Sequence, residues 1–503
     1  MKFAAAPALL LGLLLAGLAP AGEEPKQADA ALRKLVSEAI DRGAKWLAGE
    51  RQPGGTFPSI YGMGHTTGPT ALATLALLHS GLPKDDPGVA ESMAFLHRHW
   101  NEARQTYAVS VLVMLLAEYG RGRNGHPFSL EETDLSWMQE MVDWLVEVQE
   151  PAGGWRYPGG GVDMSNTQYA LLALKEARNS GLRVPEESFG RALRVVLASQ
   201  ESSGTRVARY QETGGDGAYG AMRERVPGFD RVRGFGYMMR QPPTGSMTAA
   251  GVAAAAICAS ELKAEKVRVL AEDGVQAARD GLAWLGKYFD VTQNPRSGPM
   301  WHYYYLYGLE RAGMLAGVVY VGEHRWYPEG AKYLVDAQRP DGSWRSAMVV
   351  PGRGPNSGDA IDQSFALLFL TRATARALGV PTERPFLDLT GGTKLSDRDF
   401  TTLLDAAFAE LGDLPVERRI ERARDFALLG PRVLPLLIAR LLDADEPVRA
   451  LADLVLRGVT GLAFDYDAAA PPGEREAAAD AWTLWYLKNR DRLSTDPAER
   501  RIR

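Results

Sequence analysis

Trp144-Leu145-Val146-Glu147-Val148-Gln149-Glu150-Pro151-Ala152-Gly153-Gly154-Trp155 and Tyr333-Leu334-Val335-Asp336-Ala337-Gln338-Arg339-Pro340-Asp341-Gly342-Ser343-Trp344 carry one pattern twice. It runs aromatic-Leu, three residues, Gln, three residues, Gly, one residue, Trp. Gln52, Gly55 and Phe57 form a copy one residue shorter, and Gln200 with Gly204 keeps the start without the final aromatic. The aromatic-Leu step also stands at Trp46-Leu47, Phe95-Leu96 and Trp284-Leu285, with Val195 in the equivalent place of a helix over 193–200. Around these steps, as over 32–47 and 136–148, apolar residues recur with a helical period, so each such helix buries one face and wets the other.

After each amphipathic helix comes a second one, apolar on most faces. These begin near Thr67, Gln105, Ser165, Ser246, Met300 and Asp359. A helix that is apolar nearly all round is buried on all sides. Six outer and six inner helices therefore alternate along the chain. The simplest closed arrangement is a double ring, an all-α (α/α)6 toroid, because closure leaves no apolar end of the stack uncovered.

At roughly 100 to 200 residues per domain, the 503 residues allow two to four domains. Apolar residues at 46% and charged residues at 24% are ordinary for a folded globular chain and exclude disordered or collagen-like composition. Lys and Arg number 57 against 62 Asp and Glu, a net charge of −5, which gives no footprint for nucleic-acid binding. The single cysteine, Cys258, excludes an intrachain disulfide framework and a Cys-rich metal site. It sits in an Ala-rich helix and reads as a small core hydrophobe.

Lys2, the apolar run 3–18 and the small-x-small triplet Ala19-Pro20-Ala21 read 1–21 as a cleaved signal peptide. That predicts an exported protein, periplasmic or extracellular, with no stable transmembrane segment after cleavage. A short lead, 22–29, precedes the toroid at 30–378. Within it lies an insert, 201–245, whose stretch 205–240 holds seven Arg, no Lys and seven Gly. It is expected to be a long loop or lid. The segment 379–394, with two Pro and a Gly-Gly pair, reads as a linker. A second helical domain, 395–503, follows, with helices expected over 397–411, 416–429, 432–442, 447–456 and 475–489.

The Gln-x3-Gly-x-Trp signature resembles the repeat of squalene and oxidosqualene cyclases and of protein prenyltransferase β-subunits. The resemblance covers about residues 30–375 and implies an α/α toroid in which Gln149, Trp155, Gln338 and Trp344 are structural. The stretches 301–312, 324–327 and 365–370 resemble those of exported bacterial toroid proteins, which implies no particular reaction. Gly430 to Leu437 followed by Asp443 to Arg449 is similar to one HEAT-type repeat and implies a partner surface.

In this architecture the inner-helix N-termini line the mouth of the ring. Candidate ligand residues there are His65, Thr67, Ser165, Asn166, Thr248 and Trp301, and candidate catalytic groups are Asp163, Asp359, Asp362, His302 and Tyr303. Arg231 and Arg233 of the insert add possible anion clamps. For any single one of these polar residues helix capping is the stronger explanation; their recurrence at one end of the ring is what points to a site. The catalytic signatures that the resemblance would bring are missing: no Asp-x-Asp-Asp acid, no Asp/Cys/His zinc set and no Cys-Gly-Glu-Gln thioester run. No cofactor and no metal is expected. Three functions stay open: a non-catalytic binder of a small molecule, glycan or envelope protein; a carbohydrate-active hydrolase or lyase using paired carboxyls; and a divergent terpenoid cyclase.

Overall fold

The structure, a computed structural model, describes residues 23–57, 66–101, 104–121, 129–213, 222–346, 358–373, 408, 433–460, 462, 464 and 466–489. The expected signal peptide, the linker 379–394, most of the helices expected over 397–411 and 416–429, and His65 lie outside them. Among the described residues no helix is long and apolar enough to cross a membrane.

Among the described residues, twelve α-helices between Glu23 and Leu370 build the ring. The inner ones are α2 (Thr67–His79), α4 (Thr106–Tyr119), α6 (Met164–Asn179), α8 (Gly245–Glu261), α10 (His302–Ala316) and α12 (Ala360–Leu370). All begin within two residues of the expected positions. The outer ones are α1 (Glu23–Gly49), α3 (Pro87–His99), α5 (Glu132–Glu147), α7 (Glu186–Ala198), α9 (Arg268–Lys287) and α11 (Trp326–Ala337). Burial follows the patterning. In α2 everything from Pro69 to His79 is buried, whereas α5 buries the stripe Trp137, Met138, Met141, Val142 and Leu145. Each inner helix packs on the next, and α12 returns to α2, so the ring is closed. Cys258 is fully buried in α8, and burial pushes its thiol well up.

The repeated motif is the joint between successive outer helices. The Gln149 amide donates to the Gly153 carbonyl at 2.6 Å and to the Ser188 carbonyl of α7 at 2.9 Å. In the second copy the Gln338 amide donates in the same way, to the Gly342 carbonyl at 3.0 Å and to the Ala39 carbonyl of α1 at 2.8 Å. Gln200 donates to the Ala277 carbonyl of α9 at 2.9 Å. The Ala39, Ser188 and Ala277 carbonyls lie within their helices and not at the C-terminal ends, so the glutamines tie one outer helix to the next instead of serving orphan carbonyls of a helix end. The indoles of Trp155 and Trp344 donate to the carbonyls of Leu145 and Leu334, at 2.8 and 2.7 Å. Gly153 and Gly342 have φ of 109° and 89°, and a Cβ on either would stand 2.3–2.4 Å from the carbonyl oxygen of Arg191 or Arg42. Only glycine fits that backbone and that approach. Because Gln338 reaches α1, the last joint ties the end of the ring to its beginning.

The insert is not the loop that its composition suggested. It is an antiparallel hairpin of β1 (Arg206–Thr213) and β2 (Met222–Arg231) with a register shift after Ala208. Asp280 of α9 anchors it. Ala39, Ser188 and Ala277 accept from the three motif glutamines, and three residues beyond them stand Arg42, Arg191 and Asp280. Arg42 and Arg191 donate back to the glutamine. Asp280, buried at 1% exposure, instead accepts from the Arg231 backbone at 2.7 Å and from the Arg233 guanidinium at 2.8 Å.

A second buried cluster lies in the C-terminal region. It is formed by α13 (Val433–Arg440), α14 (Glu446–Thr460) and α15 (Pro472–Asn489), around Leu437, Leu441, Val455 and Trp482.

Candidate functional site

At the N-terminal end of α6, Asp163 caps the helix. Its carboxylate accepts from the Asn166 backbone at 2.8 Å and from the Asn166 amide at 2.9 Å, and Tyr237 also bonds it. Burial raises the Asp163 carboxyl above its ordinary range, and the Asn166 bonds oppose that shift. The Ser165 hydroxyl lies 3.0 Å from the Tyr304 hydroxyl, which also receives the Gln168 amide. The Oδ1 of Asn166 is buried without a partner.

Deeper in the ring stands Arg311 of α10, with no exposed surface. Its guanidinium donates to the Tyr169 hydroxyl at 3.1 Å and to Gln168 Oε1 at 3.2 Å. It also lies 4.1 Å from the ring centre of Tyr307 and 4.9 Å from that of Tyr169. Tyr107 packs on Tyr169, Tyr169 on Tyr304, and Phe365 on both Tyr304 and Tyr307. Rings from α4, α6, α10 and α12 thus meet inside the toroid, around one buried cation. The intervening α8 carries Ala249, Ala250, Ala253 and Ala254, small residues that leave α10 room to reach α6.

The other expected site residues are committed elsewhere. Thr248 accepts from the Phe235 backbone at 3.1 Å, as Thr70 does from Phe57 at 3.0 Å and Thr167 from Trp155 at 3.2 Å. It belongs to the frame of the repeat. His302 is bonded at 2.9 Å to the Val291 carbonyl, and burial lowers the pKa of its ring. Tyr303 donates to the Arg345 carbonyl at 2.9 Å. Asp359 caps α12 through the Ile361 backbone at 2.9 Å, and Asp362 accepts from the Ser346 hydroxyl at 2.6 Å. Asp163 stands on α6 and the Asp359/Asp362 pair on α12, which are opposite each other in the ring order. Thr67 opens α2 half-buried. Trp301 precedes α10 with a left-handed backbone and is 45% exposed. Arg231 and Arg233 are held by Asp280 of α9. No group of three or more His, Cys, Asp or Glu among the described residues is placed to hold a metal ion.

The opposite end of the ring carries a cluster that sequence reasoning missed. Arg121 donates to Glu118 at 3.0 Å and to Glu176 at 3.1 Å, and His79 lies 3.8 Å from Glu118. They border a cavity of about 20 Å³, room for roughly one water. Burial raises the Glu176 carboxyl from 4.5 to about 7; Arg121 opposes this and Glu118 adds to it. Between those two values the folded chain holds a proton that the unfolded chain has lost. Stability therefore falls as pH rises through that window, by about 3 kcal/mol at most. Glu176→Gln is expected to raise stability to denaturant at pH 8 by about 1–3 kcal/mol, a gain that disappears near pH 4.5. A loss at pH 8 would show instead that the ionised pair with Arg121 holds the cluster together.

An all-helical double ring closed through its own repeat motif defines an α/α toroid. No protein-family profile matches the chain, and no curated protein matches it in sequence. Among solved structures, the type II terpene cyclase MstE from Scytonema, bound to geranylgeranyl dihydroxybenzoate, aligns over 69% of this chain and 99% of its own, at 13% identity and a TM-score of 0.39. Its apo form aligns over 68% and 99%, at 14% identity and a TM-score of 0.38. A possible member of the GH105 family from Salmonella enterica aligns over 68% and 94%, at 13% identity and a TM-score of 0.43.

Proposed function

We propose that this is an exported, non-catalytic binding protein, a toroid at 30–378 joined by the segment 379–394 to a HEAT-like helical domain that offers a partner surface. The observation that carries this reading is the packing inside the ring. Among the described residues, Arg311 and the rings of Tyr169, Tyr304, Tyr307 and Phe365 are buried against one another, so the cation and its aromatic neighbours are engaged with each other. The expected acids and bases support it as well: Asp163 and Asp359 cap helices, and His302 and Tyr303 bond backbone carbonyls. What is left at the mouth, Trp301 and polar helix starts, suits recognition of a polar or glycan ligand. The test is turnover of a polysaccharide and isoprenoid panel by the purified full chain. No turnover is expected; turnover that Asp359→Ala with Asp362→Ala abolishes overturns the reading in favour of a carbohydrate-active enzyme.

A divergent terpenoid cyclase is the second reading, favoured by one observation: a buried Asp163 with a raised pKa beside an aromatic interior. An acid strong enough to protonate an alkene needs neighbouring carboxylates to hold it protonated, whereas Asp163 is held by two bonds from Asn166 that favour its ionised form. Cyclisation of an acyclic isoprenoid that is lost in Asp163→Asn would put this reading first.

A further inference from the structure

The hairpin is a strap tied down at both ends. At its base Asp280 holds Arg231 and Arg233, and Arg209 bonds Asp230 and Gln276. At its tip the Glu212 carboxylate accepts from the backbones of Val319 and Tyr320, at 2.6 and 2.9 Å, and Arg223 pairs with Glu323. Between the two ties lies a cavity of about 830 Å³, within the range of sites that take small ligands. Its floor is apolar: Ala259 of α8, Ala278, Leu282 and Ala283 of α9, Leu315 of α10, and Val318. The strap adds Val207 and Tyr210, which remain 37% and 40% exposed although they face this floor.

The cavity lining carries three carboxylates and three cations, but the carboxylates are committed and two of the cations are not. Its carboxylates are each engaged: Glu212 by two backbone amides, Asp230 by Arg209, Glu323 by Arg223. Arg279 and Lys287 also line it, both exposed on α9, and among the described residues neither meets a carboxylate. They are eight residues apart on one helix face, about 12 Å along the axis. An apolar floor beneath these two cations fits an occupant with an apolar body and an anionic end.

We propose that the space under the β1–β2 strap is a binding site for a single-chain amphiphile with an anionic head, its chain on the α8–α9–α10 floor and its head at Arg279 or Lys287. The site lies at the C-terminal ends of α8 and α10, on the outer flank of the toroid. It stands apart from the inner-helix mouth and does not depend on what that mouth binds.

The test is a fluorescence titration of the full chain with 11-(dansylamino)undecanoic acid, followed by displacement with decanoate, dodecanoate, tetradecanoate and 1-dodecanol. Saturable enhancement is expected, with displacement strengthening about fourfold per added methylene until the floor is filled. Dodecanoate should displace the probe at least tenfold better than dodecanol. Arg279→Glu with Lys287→Glu, at exposed positions, should remove that preference and leave dodecanol unchanged. Leu282→Asp, checked for folding by circular dichroism, should weaken both competitors. The proposal is overturned by non-saturable binding, by equal competition from acid and alcohol in the parent chain, or by a charge-reversed variant that keeps the preference for the acid. Displacement by an extended peptide and by none of the carboxylates overturns it too.

Discussion

Trp344→Ala is expected to destabilise the toroid by about 4 kcal/mol and to open it at one particular place. The side chain is fully buried, its indole bonds Leu334, and its ring sits so close to α1 that a Cβ on Gly43 would stand 2.8 Å away. Truncation leaves a cavity at the seam between the last repeat and the first. Trp155→Ala removes an equally buried indole with the same internal bond, but at a joint within the stack. Hydrogen exchange separates the two. Amides of α1 around 39–43 should exchange faster in Trp344→Ala and stay protected in Trp155→Ala. Unchanged protection in α1 for both variants would mean that the seam is not held by this residue.

Arg311→Ala should be the most disruptive change in the ring interior, costing about 3–5 kcal/mol. It deletes the donor to Tyr169 and Gln168 and the cation between the tyrosine faces. Buried acceptors without a donor bear the full cost of desolvation. Lys at this position should not restore stability, because it lacks the planar fork that serves two acceptors at once. Denaturant midpoints measure the loss, and the near-ultraviolet circular dichroism of the tyrosine cluster should weaken with it. A variant within about 1 kcal/mol of the parent chain would show that the aromatic packing holds without the cation.

The ring was legible because its determinants are local and repeated. The Gln, Gly and Trp of the motif recur at fixed spacing, and each inner helix announces itself by an all-apolar body after a capping residue such as Asp163 or Asp359. The hairpin was not legible. Pro227 and Gly228 fall at its register shift, and Arg alternates there with Gly, Val and acidic residues, which hides the strand period. Its anchor was visible only as an aspartate, Asp280, where two other repeats have Arg42 and Arg191. The candidate site was read in part. Asp163, Ser165 and Asn166 do come together, but Tyr304, which bonds Ser165, and Gln168 and Arg311 behind it stand at positions that read as ordinary inner-helix body. The acidic cluster of Glu118 and Glu176 escaped because both lie near helix C-termini, where a lone glutamate suggests nothing beyond solvent contact.

The joint from Gln338 to α1 spans 299 residues of sequence. No other repeat of the ring has to wait so long for its partner. Until α11 and α12 exist, α1 has nothing to close against, and the apolar edge of α2 stays open to water. Loop closure over such a distance adds only modestly to the entropic cost, but in a chain made from its N-terminus the seam cannot form before its last members have been made. The stack can grow repeat by repeat from its first helices, and the final step is a docking of its two ends. A chain interrupted before 360 lacks the α12 contacts to α1 and α2 and is expected to aggregate more readily than the closed ring, as light scattering of the truncated chain would show.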